Sequence, residues 1–92
     1  VTHLEAALDA SDDRLAYEAA RALARTSGEE AAAALRRGAA SDLSGTVNAS
    51  LRGIELRKDT TLCDAAKPHL GAEEPTGSYA RRAWDAVGCD SE

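Results

Sequence analysis

The sequence predicts an all-α protein of one small domain, three antiparallel helical hairpins stacked into a short α-solenoid. Alanine supplies 21 of the 92 residues, β-branched residues are few, and proline occurs only at Pro68 and Pro75, so summed propensity favours helix nearly throughout. Polar clusters of Ser, Thr, Asp and Gly punctuate the chain at helix-length intervals. Apolar and small residues also recur at a fixed spacing of 31.

The first helix is expected from Thr2 to Ala10, ending at Ser11-Asp12-Asp13, which also offers the N-cap of a second helix, Asp13 to Thr26. Ser27 with Glu30 has the capping-box form and opens a third helix reaching about Ala40. Ser41 to Gly45 reads as a loop in which Ser44 caps a fourth helix, Gly45 to Arg57. Thr61 with Asp64 repeats the capping-box form for a fifth, about Thr61 to Leu70, where Pro68 should cause a kink or an early stop. Gly71 to Gly77 is the longest break, and Ser78 to Gly88 makes the sixth helix. Short connections make these helices antiparallel neighbours.

The repeat pairs them. Leu4, Leu35 and Ala66 stand 31 apart, as do Leu8, Ala39 and Leu70. In the second helix of each pair Leu15, Ala19, Ala22 and Leu23 recur 31 later as Thr46, Ser50, Gly53 and Ile54, then 33 later as Tyr79, Ala83, Ala86 and Val87. Repeats of about 1–27, 28–58 and 59–90 follow. The expected inward residues are Leu4, Leu8, Leu15, Ala19, Leu23, Leu35, Ser50, Ile54, Ala66, Leu70, Ala83 and Val87. Alanine-rich helices such as Leu15 to Ala24 then pack on copies of themselves, with small side chains allowing close approach.

"YARRAWDAVG", Tyr79 to Gly88, and less closely "LAYEAARALA", resemble the second helices of HEAT-like repeats, in particular the short variety named after phycobilisome lyase subunits. "TVNASLRGIE" is a poorer copy. The landmarks of tetratricopeptide and ankyrin repeats are absent. The resemblance implies a scaffold or adaptor that binds protein; its alternative is a catalytic or non-catalytic component of a lyase-type enzyme complex, and with it a bilin-attaching thiol.

Sixteen acids against eleven bases give a net charge of −5, and nine of the bases are Arg. This composition suits a soluble, cytoplasmic protein. The longest apolar run, Ala31 to Leu35, is far short of a membrane span, and no signal-peptide h-region is visible. A chain beginning at Val1 reads as processed, trimmed or part of something longer. "NAS" at Asn48 to Ser50 matches a glycosylation acceptor but sits in helical pattern, so it is read as chance.

No constellation of residues points to catalysis. His3 and His69 are the only histidines, without HExxH or Cys-x-x-Cys, so no metal site and no cofactor is expected. Ser27, Ser44 and Thr61 read as caps, not nucleophiles, because none has a base and an orienting group at recognisable spacing. Glu29-Glu30 and Glu73-Glu74 are explained by solvation and helix dipoles. Cys63 and Cys89 should be neighbours at one end of the last hairpin. Two reduced thiols acting as small hydrophobes are the expected state in an intracellular setting, with a disulfide as the other reading.

Charge gives the functional expectation. Over 14–26, 45–57 and 78–88 the second helices hold seven arginines against Glu18, Glu55 and Asp85, a net +4 that leaves −9 on the rest. Arg21 and Arg52 are equivalent positions, so with Arg81 and Arg82 they should line a concave face, Tyr17 and Asn48 beside them, and bind an acidic protein segment through bidentate contacts. Solvated charges pairing locally, as Glu18 with Arg14 or Arg21, are the other reading. The overall charge and the lack of clustered Lys argue against nucleic acid. A homodimer or docking to another subunit is expected because a three-repeat stack leaves both ends incompletely covered.

Overall fold

In the computed structural model, Leu4, Ala7, Leu8 and 12–89 are described. These residues form five α-helices and no strand: α1 (Asp13–Arg25), α2 (Glu29–Ala39), α3 (Ser44–Arg57), α4 (Cys63–Ala66) and α5 (Thr76–Val87). Short 3-10 turns at Thr60–Leu62 and Lys67–His69 flank α4. The predicted helix from Thr2 to Ala10, with His3, lies largely outside the described residues; Leu4, Ala7 and Leu8 within it are helical.

Helix α3 is the middle of a row, packed on α1 at one side and α5 at the other, while α2 lies against α1 and α3, and α4 against α5. Helices pack about 8–10 Å apart, so Cα extents of 35 × 29 × 16 Å describe a slab two helices thick. A central helix touched from several sides must be small or apolar almost all round. In α3 the residues Thr46, Val47, Ala49, Ser50, Leu51, Gly53 and Ile54 are all buried.

The alanines allow this packing. A Cβ on Gly53 would stand 2.7 Å from Leu35 Cδ2, 3.1 Å from the carbonyl oxygen of Ala20 and 3.2 Å from its Cβ, so α3 meets both α1 and α2 there nearly backbone to backbone. Gly38 of α2 plays the same part against α3, since a Cβ there would fall 2.0 Å from Ser50 Oγ. The larger core residues, Leu8, Leu23, Leu35, Leu51, Ile54 and Leu62, fill the spaces between these contacts.

Of the expected inward residues, Leu15 does not turn inward. It is 50 % exposed, and the face of α1 that buries is Ala16, Ala19, Ala20 and Leu23. Its equivalent Thr46 is buried, with Oγ1 donating to the carbonyl of Leu8 at 2.7 Å. The segment carrying Leu8 covers Thr46; among the described residues nothing takes that place over Leu15.

Three expected caps are replaced by neighbours. Asp12 does cap α1, accepting from the amides of Arg14 and Leu15. The chain enters α2 through Gly28 at φ 106°, a conformation open to glycine, so Gly28 is the cap residue and Ser27 stands one position too early. Leu43, not Ser44, caps α3; Ser41 Oγ accepts the Leu43 amide and closes the preceding turn. At the fifth segment Asp59 is the cap, accepting from the amide and hydroxyl of Thr61, and Asp64 is drawn across to Arg36 of α2.

The predicted fifth helix is broken as Pro68 requires: only Cys63–Ala66 is α-helical, and the chain tightens to a 3-10 turn at Lys67–His69. Helix α5 starts at Thr76, earlier than the expected Ser78, and ends at Gly88. There φ 84° turns the chain so that the Cys89 amide donates to the carbonyl of Trp84. That turn brings Cys89 onto Cys63, and the two form a disulfide with Cα atoms 5.6 Å apart. Their proximity was legible in the hairpin pattern. The expected reduced state is corrected: among the described residues no free cysteine remains, which also removes the bilin-attaching thiol.

Candidate functional site

The side-chain assembly at the row of α1, α3 and α5 begins with Arg52. It projects from the middle of α3, half-buried, with its guanidinium carbon 3.9 Å from the ring centroid of Tyr17 on α1 and 5.4 Å from that of Tyr79 on α5. A planar cation attracted by two ring faces is held in place more firmly than a solvated one. Asn48 stands four residues before Arg52, so both lie on one side of α3. The Asn48 Oδ1 accepts the hydroxyl of Thr76. Tyr17, Asn48, Arg52 and Tyr79, together with Pro75, Gly45 and Ala49, bound a cavity of 170 Å³.

The other expected site residues fall into two groups. Arg21 lies 5.7 Å from the Tyr17 centroid and pairs with Glu18 at 3.6 Å; Arg82 pairs with Glu55 of α3 at 3.9 Å. Both are spoken for in part by local acids. Arg81 is exposed and joins none of these contacts, because two helical steps place it about 200° round α5 from Tyr79. The structure therefore brings together Tyr17, Asn48 and Arg52, sets Arg21 and Arg82 at the margin, and leaves Arg81 aside.

Tyr79 belongs to the assembly although the repeat register gave it a packing role. The signal was present, since Tyr17, Asn48 and Tyr79 are separated by 31 each time, without the two-residue shift. Thr76 and Pro75 carried no comparable signal.

Arg57, counted among the second-helix cations, does structural work at the far end. Its Nη1 donates to the carbonyls of Leu23 and Thr26, its Nη2 to that of Gly28 at 3.0 Å, and its Nε faces Asp59 at 3.3 Å. One guanidinium thus satisfies the carbonyls at the end of α1 and fixes the turn into α2. Arg36 acts similarly on the next joint, donating to Asp64 at 2.7 Å and to the Thr61 carbonyl. Hydrogen bonds from Thr61 hold the Asp59 carboxyl below its ordinary value of 3.8, with Arg57 adding to the effect. The hydrogen bond from Arg36 does the same for Asp64.

Between these arginines lies a cavity of 430 Å³ lined by Gly28, Ala32, Arg36, Arg57, Asp59 and Thr61 among others. It is larger than the Arg52 cavity, yet its cations are already spent on carbonyls and carboxylates. His69 is also committed: its Nε2 donates to the carbonyl of Ala39 at 2.7 Å, capping the end of α2. Among the described residues no three His, Cys, Asp or Glu side chains gather as a metal set, and no helix is long and apolar enough to cross a membrane. Ser50 of the "NAS" triplet is fully buried, so the folded chain does not present the triplet as an exposed acceptor. Compared with known protein families, with curated proteins and with solved structures, the chain matches none.

Proposed function

We propose that this chain is a short HEAT-like array of three hairpins and that it works as a protein-binding adaptor or scaffold, holding an acidic partner segment against the face made by α1, α3 and α5. The row order, with α3 between α1 and α5 and with α2 and α4 behind, supports the hairpin reading. The observation that carries the functional part is Arg52, stacked on Tyr17 and Tyr79 with no carboxylate partner among the described residues. A cation fixed by rings on neighbouring helices and left without an anion suits an acidic contact supplied from outside. Arg21 and Arg82 flank it, and their exposed pairs with Glu18 and Glu55 are weak enough to exchange for a partner's acids. Arg81 joins from the rim, and Tyr17 and Asn48 supply neighbouring polar contacts.

A second copy or another subunit docks at the ends of the row, measurable by light scattering over a range of concentrations. The cytoplasmic setting suggested by composition meets a physical objection in the Cys63–Cys89 bond, since disulfides persist chiefly in oxidising compartments.

The test is partner capture followed by calorimetry. Charge reversal at Arg21 and Arg52 together should abolish binding, while reversal at Lys58 and Lys67, both exposed and outside α1, α3 and α5, should leave it nearly unchanged. Reversal at Arg36 and Arg37 is unsuitable as the control because Arg36 holds the second joint. Affinity should fall steeply with salt, as exposed charges are screened beyond about 8 Å at physiological ionic strength. Equal losses from both double variants would refute this face.

A further inference from the structure

The geometry points to the cavity over Arg52 as a pocket for a single carboxylate, with the Arg52 guanidinium and the Asn48 amide as its donors and the Tyr17 and Tyr79 rings as its walls. This assignment rests on the adaptor reading and sharpens it: one anchor residue replaces a ladder of equivalent arginines.

Stacking on Tyr17 at 3.9 Å covers the face of the guanidinium but not its edge, where all five N–H groups project. No ion pair or hydrogen bond to a described residue uses that edge. On the same side of α3, Asn48 has its carbonyl oxygen taken by the Thr76 hydroxyl, which orients the carboxamide and leaves its NH₂ donors for a ligand. The cavity is lined by Tyr17, Asn48, Arg52, Pro75 and Tyr79 together with small residues of α3, and by no Asp or Glu. Asp42, Glu73 and Glu74 line the adjoining cavity that shares Asn48 and Pro75 with this one, and Glu74 is engaged by the Ser78 amide and hydroxyl; on the row itself Glu18 and Glu55 are held by Arg21 and Arg82. A pocket with donors on its floor, rings for walls and no acceptor of like charge attracts an anion.

Size and charge decide which anion. A volume of 170 Å³ equals about five or six waters at their liquid volume and falls below the roughly 300 Å³ at which whole-ligand pockets begin. It fits one functional group and a short stem, not a nucleotide or other cofactor. A polyanion would need several unpaired cations and would meet a chain of net charge −5. A monoanionic, planar carboxylate matches one planar guanidinium fork. That carboxylate can come from an acidic side chain or from a chain terminus.

The experiment uses the whole chain, with arginine Nε–H and tyrosine ring resonances followed by NMR. Three probes are titrated: acetyl-Gly-Glu-Gly-amide, bearing only a side-chain carboxylate; acetyl-triglycine with a free terminus, bearing only a main-chain one; and acetyl-Gly-Gln-Gly-amide, bearing neither. Saturable movement of Arg52, Tyr17 and Tyr79 with either carboxylate peptide, and none with the Gln peptide, is expected, and the peptide that acts identifies the source. The Arg52→Gln variant should lose the response with its melting temperature kept within a few degrees, whereas Lys67→Gln, exposed and outside the face, should retain it. If Arg52 moves no more than Arg25 and Arg81, the response is ionic screening and the pocket is refuted. Saturation by inorganic phosphate at lower concentration than either peptide also overturns the carboxylate assignment. Peptide saturation without any captured protein partner would refute the adaptor reading and leave the pocket standing. Undiminished partner capture by Arg52→Gln would do the reverse.

Discussion

Ser50 and Gly53 occupy adjacent turns of α3 and face opposite problems. Ser50 Oγ is buried with no hydrogen-bond partner, so its hydroxyl was stripped of water without compensation. Replacing it by Ala should stabilise the fold by about 1 kcal/mol, read as a rise in the denaturation midpoint without a change of slope. Gly53→Ala is expected to act in the other direction, by about 1–3 kcal/mol. Its added methyl meets the Ala20 carbonyl, a backbone atom that cannot rotate away. Arg57→Met keeps most of the stem and removes the fork. Three carbonyls then lose a charged donor, and a loss of about 2–3 kcal/mol is expected. Arg57→Lys should recover only part of it, since an ammonium cannot span the three acceptors. The role of Arg57 was not readable in advance: an arginine looks like a surface residue until the helix beside it is known. The small-residue register that placed Ser50 and Gly53 against a neighbour was readable, because a fixed spacing of small side chains has few other causes.

At the scale of elements, helical identity was legible nearly everywhere, while of the helix beginnings only that of α1, at Asp12, was. Alanine content and Pro68 determine where helix persists and where it breaks. Caps depend on which of several adjacent polar residues the turn geometry selects, and here Gly28 and Asp59 were selected over Ser27 and Thr61. Asp59 yields a pH prediction. Its carboxyl is held below 3.8 in the folded chain by Thr61 and then Arg57, so the anion stabilises the fold at all pH values above that ordinary value. As acid protonates the folded carboxyl, the contribution is lost. Thermal melts should therefore fall below about pH 4, and Asp59→Ala, costing about 1 kcal/mol as a lost cap, should flatten that fall. An unchanged acid profile in Asp59→Ala would locate the sensitivity elsewhere, with the exposed Asp64–Arg36 pair as the next group to remove.

At the scale of the whole molecule, a slab two helices thick has little interior, and alanine fills much of it. Such a core gains stability from any restraint on the unfolded chain. The Cys63–Cys89 bond closes a segment whose ends are 26 residues apart. Its reduction should cost about 2–4 kcal/mol, visible as a lower unfolding midpoint in the presence of a reductant, with Cys63→Ala/Cys89→Ala matching the reduced form. The segregation of charge that suggested a binding face was legible only as a sum. The fold divides it: Arg57 goes to backbone carbonyls, Arg21 and Arg82 to local acids, and Arg52 to the tyrosines. Counting charges per helix cannot anticipate that division, because pairing depends on which neighbouring helix supplies the acceptor.

The same disulfide makes a covalent ring around the segment from Gly71 to Pro75, where the spacing of small and apolar residues lengthens from 31 to 33 and the chain is exposed over much of its length. A protease that cuts one peptide bond inside a ring opens a loop but releases nothing. Limited digestion of the native chain should therefore give one species of full mass plus one water on a non-reducing gel or in intact mass spectrometry, and two fragments only after reduction. The ring makes this segment a place where chain length can change, by nicking or by insertion, while α5 stays covalently tethered to the rest of the protein.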